Sequence, residues 1–292
     1  MPNRQSNGFA LIGGSMGFKL LQESGRKFTA LGPVETPFGL SNPIHLMDDG
    51  TLYMSRHGEK GYHVTASFVN YRANIWALKE KATDRIVAWS GPAAIDESLR
   101  LGEILVPGDI IDETRRRECT FFNELGHGFI RQNPTFCSRV SKALVETCIR
   151  RNGSCRNDSV YVCTEGPRLE TVAEIRKFKS FGGDLVGMTL VPEAFLAKEL
   201  EMCYAAISYV TNYAEGVRER EFRPGVLFEG LLDDDERTAV DASVAALPEI
   251  VAEAFKRLAD QPRDCKCART MERYRLRGDI RDDWRTWIRR KK

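Results

Sequence analysis

The stretch VYVCTEGPRLETVAEIRKFKSFGGDLVGMTL, residues 160–190, decides the fold class. It opens on Val160 to Cys163, an apolar run of strand length. Glu170 to Phe181 follows with helical spacing and stops at Gly182-Gly183, and Leu185 to Met188 is apolar again. A strand, a helix and a second strand in succession predict an α/β sheet. The alternation extends outward in both directions. Upstream, Phe9-Ala10-Leu11-Ile12 reads as a buried first strand feeding Gly13-Gly14-Ser15. Thr51 to Ser55 and Arg85 to Trp89 read as further strands, with helices predicted over Tyr71–Lys81 and Ser141–Arg151. Downstream come a helix over Pro192–Leu200, a strand over Ala205–Val210 and a long amphipathic helix over Ala239–Ala259. The whole predicts an α/β protein built on one sheet.

Two stretches break the alternation. Thr114 to Pro134 is irregular and rich in Arg, Gly and aromatics, and long loops of this kind tend to be functional or to lie at subunit contacts. Arg218 to Arg237 is polar and is expected to be flexible. Neither reads as a boundary, so residues 9–260 are taken as one domain and 261–292 as a basic tail. From Arg269 to Lys292 the chain carries ten Lys/Arg against four Asp/Glu. The formal net charge of the whole is only +2, so no protein-wide field points to nucleic acid or membrane. The tail is expected to be solvated or to clasp a subunit, not to bind nucleic acid. No apolar run reaches spanning length and the first residues are polar, so a cytoplasmic protein is expected.

Of eight cysteines, six stand singly, several inside apolar runs, as small buried hydrophobes do. Cys265-x-Cys267 is the one tight pair, with no second pair or His cluster beside it in sequence to complete a zinc site. Structural zinc is therefore not expected, and a redox-active or disulfide-forming pair stays open.

The polar residues gather where predicted strands end, which is where open α/β sheets build their sites. Gly13-Gly14-Ser15 offers backbone N–H groups and a hydroxyl, a fair anion cradle. Its glycine spacing does not fit a dinucleotide fingerprint. Arg56-His57 adds a fixed positive charge and a second donor, and Arg suits oxyanions through bidentate hydrogen bonding.

With these stretches, Val69-Asn70-Tyr71-Arg72-Ala73-Asn74, Thr164-Glu165-Gly166-Pro167-Arg168-Leu169-Glu170-Thr171, Gly187-Met188-Thr189 and Thr211-Asn212-Tyr213 occur in order. Together they resemble the trimeric purine nucleoside phosphorylase and methylthioadenosine phosphorylase family, over about Phe9 to Leu258. The resemblance implies a single α/β phosphorylase domain whose central mixed sheet curls toward a barrel flanked by helices. It also implies a homotrimer or a dimer of trimers with sites near subunit contacts. Its reaction is the phosphorolysis of a purine nucleoside, with inorganic phosphate as co-substrate and neither metal nor cofactor. Carried over by position, Ser15, Arg56, His57, Ser90 and Thr189 are expected around phosphate. Met188 would meet the ribose, with a neighbouring subunit's His127 closing over it. Leu169, Glu170, Asn212 and Ala214 would meet the purine, with Asn212, Arg56 and His57 as the catalytic residues.

Two positions speak to the base. Adenine-type members carry an acid where this chain has Asn212. An amide donates without first taking up a proton and can serve N7 and O6 of a 6-oxopurine. Glu170 aligns with a glutamate that accepts from N1–H, whereas adenine N1 would face it with a lone pair. Both point to inosine and guanosine. The Arg-rich stretch 218–232 matches neither a methylthio pocket nor a hydroxyl-binding one, so a 5′-methylthioadenosine or 5′-methylthioinosine substrate stays open as the alternative. The Cys265-x-Cys267 pair resembles one that can form a disulfide in some methylthioadenosine phosphorylases.

Overall fold

The structure is a computed structural model and describes residues 6–14, 17–58, 61–219, 223–226 and 231–289. In chain order its strands are β1 (Phe9–Gly13), β2 (Phe28–Gly32), β3 (Glu35–Thr36), β4 (Gly39–Leu40), β5 (Ile44–Met47), β6 (Leu52–Ser55), β7 (Arg85–Ser90), β8 (Ala93–Ala94), β9 (Ile104–Leu105), β10 (Asp109–Glu113), β11 (Val160–Thr164), β12 (Leu185–Gly187) and β13 (Cys203–Tyr209). The helices are α1 (Gly17–Glu23), α2 (Tyr71–Glu80), α3 (Ser138–Asn152), α4 (Val172–Ser180), α5 (Glu193–Glu199), α6 (Asp234–Ala259) and α7 (Glu272–Leu276).

A mixed sheet in the order β2-β5-β6-β1-β7-β13-β9 forms the centre, beside a smaller sheet in the order β10-β11-β12-β8. The chain passes from β7 into β8 after two residues and from β9 into β10 after three, so both edges of the small sheet continue strands of the large one. Bridges between Ala94 and Tyr213 and between Leu105 and Arg156 stitch the junctions. The strands from β7 to β13 therefore curl round toward a barrel, as expected.

Alternation along the central strands sends side chains to opposite faces. Ala10, Ile12, Ile86, Ala88 and Ala206 enter one core, with α2, α5 and the chain beyond residue 270. Leu11, Val87, Trp89, Ala205 and Ile207 enter the other, with α1, α3 and α6. Strands covered on both faces read as continuous apolar runs, which is why β1, β7 and β13 were legible. The predicted helix over 170–181 begins only at Val172, because Thr171 accepts from the Glu174 N–H in a reciprocal capping box. That leaves Glu170 in the loop ahead of the helix.

Three expectations change. Residues 28–47, which carried no strand signal, supply β2 to β5, and β2 is mostly exposed. Its pairing with β5 is what holds it as a strand. In the stretch 218–237, Asp233 and Glu236 form a second capping box, so α6 starts at Asp234 and not at Ala239; residues 220–222 and 227–230 lie outside the described residues. The basic end folds back onto the domain. Met271, Tyr274 and Trp287 are buried, and Trp284 packs edge-on against Trp76 of α2. Several of its arginines are spent on internal partners, among them Arg263 on Asp84, Arg269 on Glu272 and Arg275 on Glu201.

Candidate active site

The carboxyl ends of β1, β6, β7 and β13 lie side by side, since Gly13 pairs with Ser55 and Ser90 with Ser208. Gly13 is required there. A Cβ on it would come within 2.6 Å of the Tyr53 hydroxyl and 2.8 Å of the Trp89 indole nitrogen. Directly after β6, Arg56 donates its N–H to the Gly13 carbonyl. The Asn42 side chain holds the same turn by donating to the Ser55 and Arg56 carbonyls at 2.7 and 2.8 Å. Asn74 in turn accepts from the Asn42 N–H at 2.7 Å, and Asn70 caps α2. The Asn-Tyr-Arg-Ala-Asn motif is thus scaffolding that sets the Arg56 turn.

Arg56 is 1% exposed. Its Nε and Nη2 donate to the two Glu193 carboxylate oxygens at 2.7 and 3.0 Å, and its Nη1 donates to the Trp89 carbonyl at 3.1 Å. Tyr204 donates to Glu193 as well, at 2.8 Å. Burial alone would push the guanidinium pKa down, but the adjoining Glu193 carboxylate holds it above its ordinary value. Among the described residues three of the five guanidinium N–H bonds are engaged, which leaves two for a ligand. Glu193 closes the Gly187-to-Glu193 run of the family resemblance but carried no assigned role, and Tyr204 gave no signal, because both roles are defined only by what the side chains touch.

Beside the Trp89 carbonyl, the Ser90 hydroxyl lies 3.0 Å from the Thr189 hydroxyl and 3.0 Å from that of Tyr161. Two expected phosphate ligands, 99 residues apart, therefore meet, and Tyr161 joins them unforeseen. His57 is buried too. Its Nδ1 donates to the Val64 carbonyl at 2.9 Å. Burial, then the Arg56 charge, lowers its pKa to about 4, so the ring is neutral at pH 7 and its Nε2 carries a lone pair. Ser15 lies outside the described residues.

A second group sits at the ends of β11 and β12. Thr164 donates to Glu170 at 2.5 Å, which pins the carboxylate over the strand end. Gly166 is in the left-handed region at φ +64°, and a Cβ on it would collide with the Met188 sulfur. Together with Glu165, Gly166 and Phe178, Thr164 and Glu170 line a cleft of about 580 Å³. Leu169 is half-buried in the same loop, and Ala214 packs in a small apolar cluster with Val162, Val186 and Phe178. The segment after β13 runs past the start of α4, where Gly216 faces Val172. Asn212, in that segment, is 7% exposed. Its amide nitrogen donates to the Tyr213 carbonyl at 2.8 Å and its oxygen accepts from Thr211 at 2.6 Å. One amide N–H is left, so in this arrangement Asn212 serves either N7 or O6 of a purine, not both.

Arg117, from the irregular stretch, ties the two loops together. Its side chain is 1% exposed and donates to the carbonyls of Met188, Thr164 and Glu165 at 2.7, 3.0 and 2.8 Å. It also reaches the Val191 carbonyl and the Tyr71 hydroxyl, at 2.5 and 3.3 Å. The aromatic and Arg content of the stretch was the available signal, but not which Arg mattered. His127 does not join the other site residues within this chain. It lines a separate hollow of about 270 Å³ with Glu199, packs edge-on against Tyr274, and has a buried Nδ1 with no partner among the described residues.

Fold and site together describe a nucleoside phosphorylase, and comparison with known proteins agrees. Residues 10–256 match the model of the phosphorylase superfamily, and the chain belongs to that family. The 6-oxopurine nucleoside phosphorylase of Pyrococcus furiosus is 36% identical over 253 residues, covering 84% of this chain and 93% of that protein. The probable S-methyl-5′-thioinosine phosphorylase of Thermodesulfovibrio yellowstonii is 34% identical over 277 residues, covering 93% and 98%. Among solved structures, a methylthioadenosine phosphorylase from an antarctic soil metagenomic library superposes with a TM-score of 0.78 at 27% identity, covering 92% of this chain and 91% of that one. None of the described helices is long and apolar enough to cross a membrane.

Proposed function

We propose that this protein cleaves 6-oxopurine nucleosides with inorganic phosphate, releasing free base and ribose 1-phosphate. The observation that carries the proposal is the convergence of Arg56, Ser90 and Thr189 at adjoining strand ends. This is a buried positive charge beside a pair of hydroxyls, which matches a phosphate oxyanion. Breaking the glycosidic bond builds positive charge on the sugar and negative charge on the base. A phosphate fixed beneath the sugar stabilises the cation and then bonds to its C1′, so positioning and electrostatics carry the reaction. Neutral His57 has its Nδ1–H committed to Val64. Its Nε2 therefore accepts from the remaining P–OH of monohydrogen phosphate and turns the unprotonated oxygens toward Arg56, Ser90 and the sugar.

At the other end, Glu170 accepts from N1–H of a 6-oxopurine, and the free Asn212 N–H meets the acceptor edge of the base and steadies the leaving anion. Adenine would set a lone pair against Glu170, an unpaired contact costing about 1–3 kcal/mol. Met188 offers the ribose an apolar face. We further propose a cytoplasmic trimer or dimer of trimers in which His127 completes a neighbour's site. The relatives named for 5′-methylthioinosine favour a second reading, in which the same base pocket takes a 5′-methylthio sugar.

The test is phosphate-dependent base release from inosine, guanosine, adenosine and their 5′-methylthio analogues. The expected order is 6-oxopurine over adenine by about a hundredfold or more, with no release when phosphate is omitted. Equal rates with water alone, or a preference for adenosine, would refute the proposal.

A further inference from the structure

The fold corrects one sequence expectation, that the Cys265-x-Cys267 pair has no companions. Cys137 and Cys203, single in sequence, join it, and the four sulfurs all lie within 4.8 Å of one another. Cys203 opens β13 and donates its N–H to Asp84, while Cys137 precedes α3 and donates its N–H to the carbonyl of Tyr204 at 2.8 Å. Cys265 and Cys267 arrive on a short turn from the C-terminal segment. Cys137 and Cys203 are buried, Cys265 and Cys267 half-buried, and all four are free thiols.

We propose that these four cysteines hold one zinc ion, bound as a tetrathiolate, which fastens the C-terminal segment to the domain. A tetrahedral zinc site with Zn–S bonds of about 2.3 Å has sulfurs about 3.8 Å apart. No pair of sulfurs is more than about 1 Å too far apart for that geometry, and Cys203 and Cys265, at 3.3 Å, need only separate by about 0.5 Å. Four thiols massed in a partly buried spot otherwise exchange only weak hydrogen bonds, and an apolar set would pack as well there. On binding, the thiol protons leave to solvent and the centre carries two net negative charges. Two cations face it: Arg263, in the field of Cys203 and Cys265, and Lys198, in that of Cys267 and Cys137. Other bonds fix both cations beside the cluster, Arg263 to the Asp84 carboxylate and the Glu201 carbonyl and Lys198 to the Pro134 carbonyl.

The site is structural. Cys203 lies at the opposite end of β13 from the Asn212 segment, about 20 Å away at the usual rise per residue. What it controls is the segment carrying Tyr274, whose hydroxyl accepts from the Phe129 N–H at 2.8 Å beside His127.

The experiment uses the full chain, purified anaerobically, with zinc measured by mass spectrometry and thiols counted in parallel. One zinc per chain is expected, released by a mercurial in step with modification of four thiols. Cobalt added to stripped protein should give the thiolate charge-transfer and tetrahedral ligand-field bands. Cys203→Ser and Cys267→Ser should each lose the metal and expose the segment after Asp264 to protease. Should a variant fail to fold, the wild-type mercurial titration decides alone. Wild type that takes up neither zinc nor cobalt would overturn the proposal. So would an intact mass lighter by the four hydrogens of two disulfides, or zinc retained by well-folded Cys267→Ser.

Discussion

Replacing Glu193 with Gln keeps the side chain's shape and removes its charge. Arg56 and Glu193 are 1% and 2% exposed, so the guanidinium would be left buried without its counter-ion. The Gln oxygen can accept from Arg56, but its NH₂ must take the place of the carboxylate oxygen that now accepts from Arg56 Nη2 and Tyr204. Breaking one side of such a buried pair costs about 3–5 kcal/mol. By comparison, Tyr204→Phe deletes a single hydrogen bond to the carboxylate and should cost about 1.5–3 kcal/mol. The assay is urea unfolding with and without saturating phosphate. If phosphate lies against Arg56, it supplies the missing anion, and its stabilising increment should be larger in Glu193→Gln than in wild type. A variant that unfolds at the wild-type midpoint would refute the buried-pair argument. Equal phosphate increments in variant and wild type would refute the placing of phosphate beside Arg56.

Three further outcomes are expected. Arg117→Met should leave the carbonyls of Met188, Thr164 and Glu165 without their donor, at about 1–3 kcal/mol for each that water cannot reach; it should raise KM for nucleoside more than for phosphate, and unchanged kinetics would remove Arg117 from the positioning role. Asn212→Asp sets a carboxylate against the Tyr213 carbonyl and the acceptor edge of a 6-oxopurine, so kcat/KM for inosine should fall sharply while adenosine gains little until Glu170→Ser is added; a constant inosine-to-adenosine ratio in both variants would displace the base pocket. The pH dependence of stability separates two buried groups. His57, lowered to about 4 by burial and the Arg56 charge, contributes stability that is present above its unfolded value near 6.5 and is lost as pH falls toward 4. Glu199, raised to about 7 by burial, does the reverse, its term being fully present below its unfolded value near 4.5 and lost as pH rises toward 7. The two slopes oppose between about pH 4.5 and 6.5, so Glu199→Gln should make stability rise more steeply with pH there, by about 1.4 kcal/mol per unit; an unchanged slope would show that Glu199 titrates normally.

The central strands and their covering helices were legible in the sequence, because a strand buried on both faces and a helix buried on one each leave a local periodicity. So were Gly13 and Arg56-His57, since strand ends are where a parallel sheet exposes free backbone and aims side chains, whereas Ser90, Thr189 and Glu170 were placed only by position through the family resemblance. β2 to β4 left no such trace, since short exposed strands are held by pairing, not by their own pattern, and β5, though buried, is only four residues long. Nor could any window of sequence show that Arg56 is clamped by Glu193, 137 residues on, that Arg117 binds the ends of two strands together, or that Asn212 spends half its amide on a neighbour's carbonyl. The same holds for the thiols. The sequence determined that Cys265 and Cys267 form a pair, while only the folding of the C-terminal segment onto the start of β13 brought Cys137 and Cys203 to it. Local periodicity is written by each element's own burial; a contact between distant residues exists only once the chain has closed the loop between them.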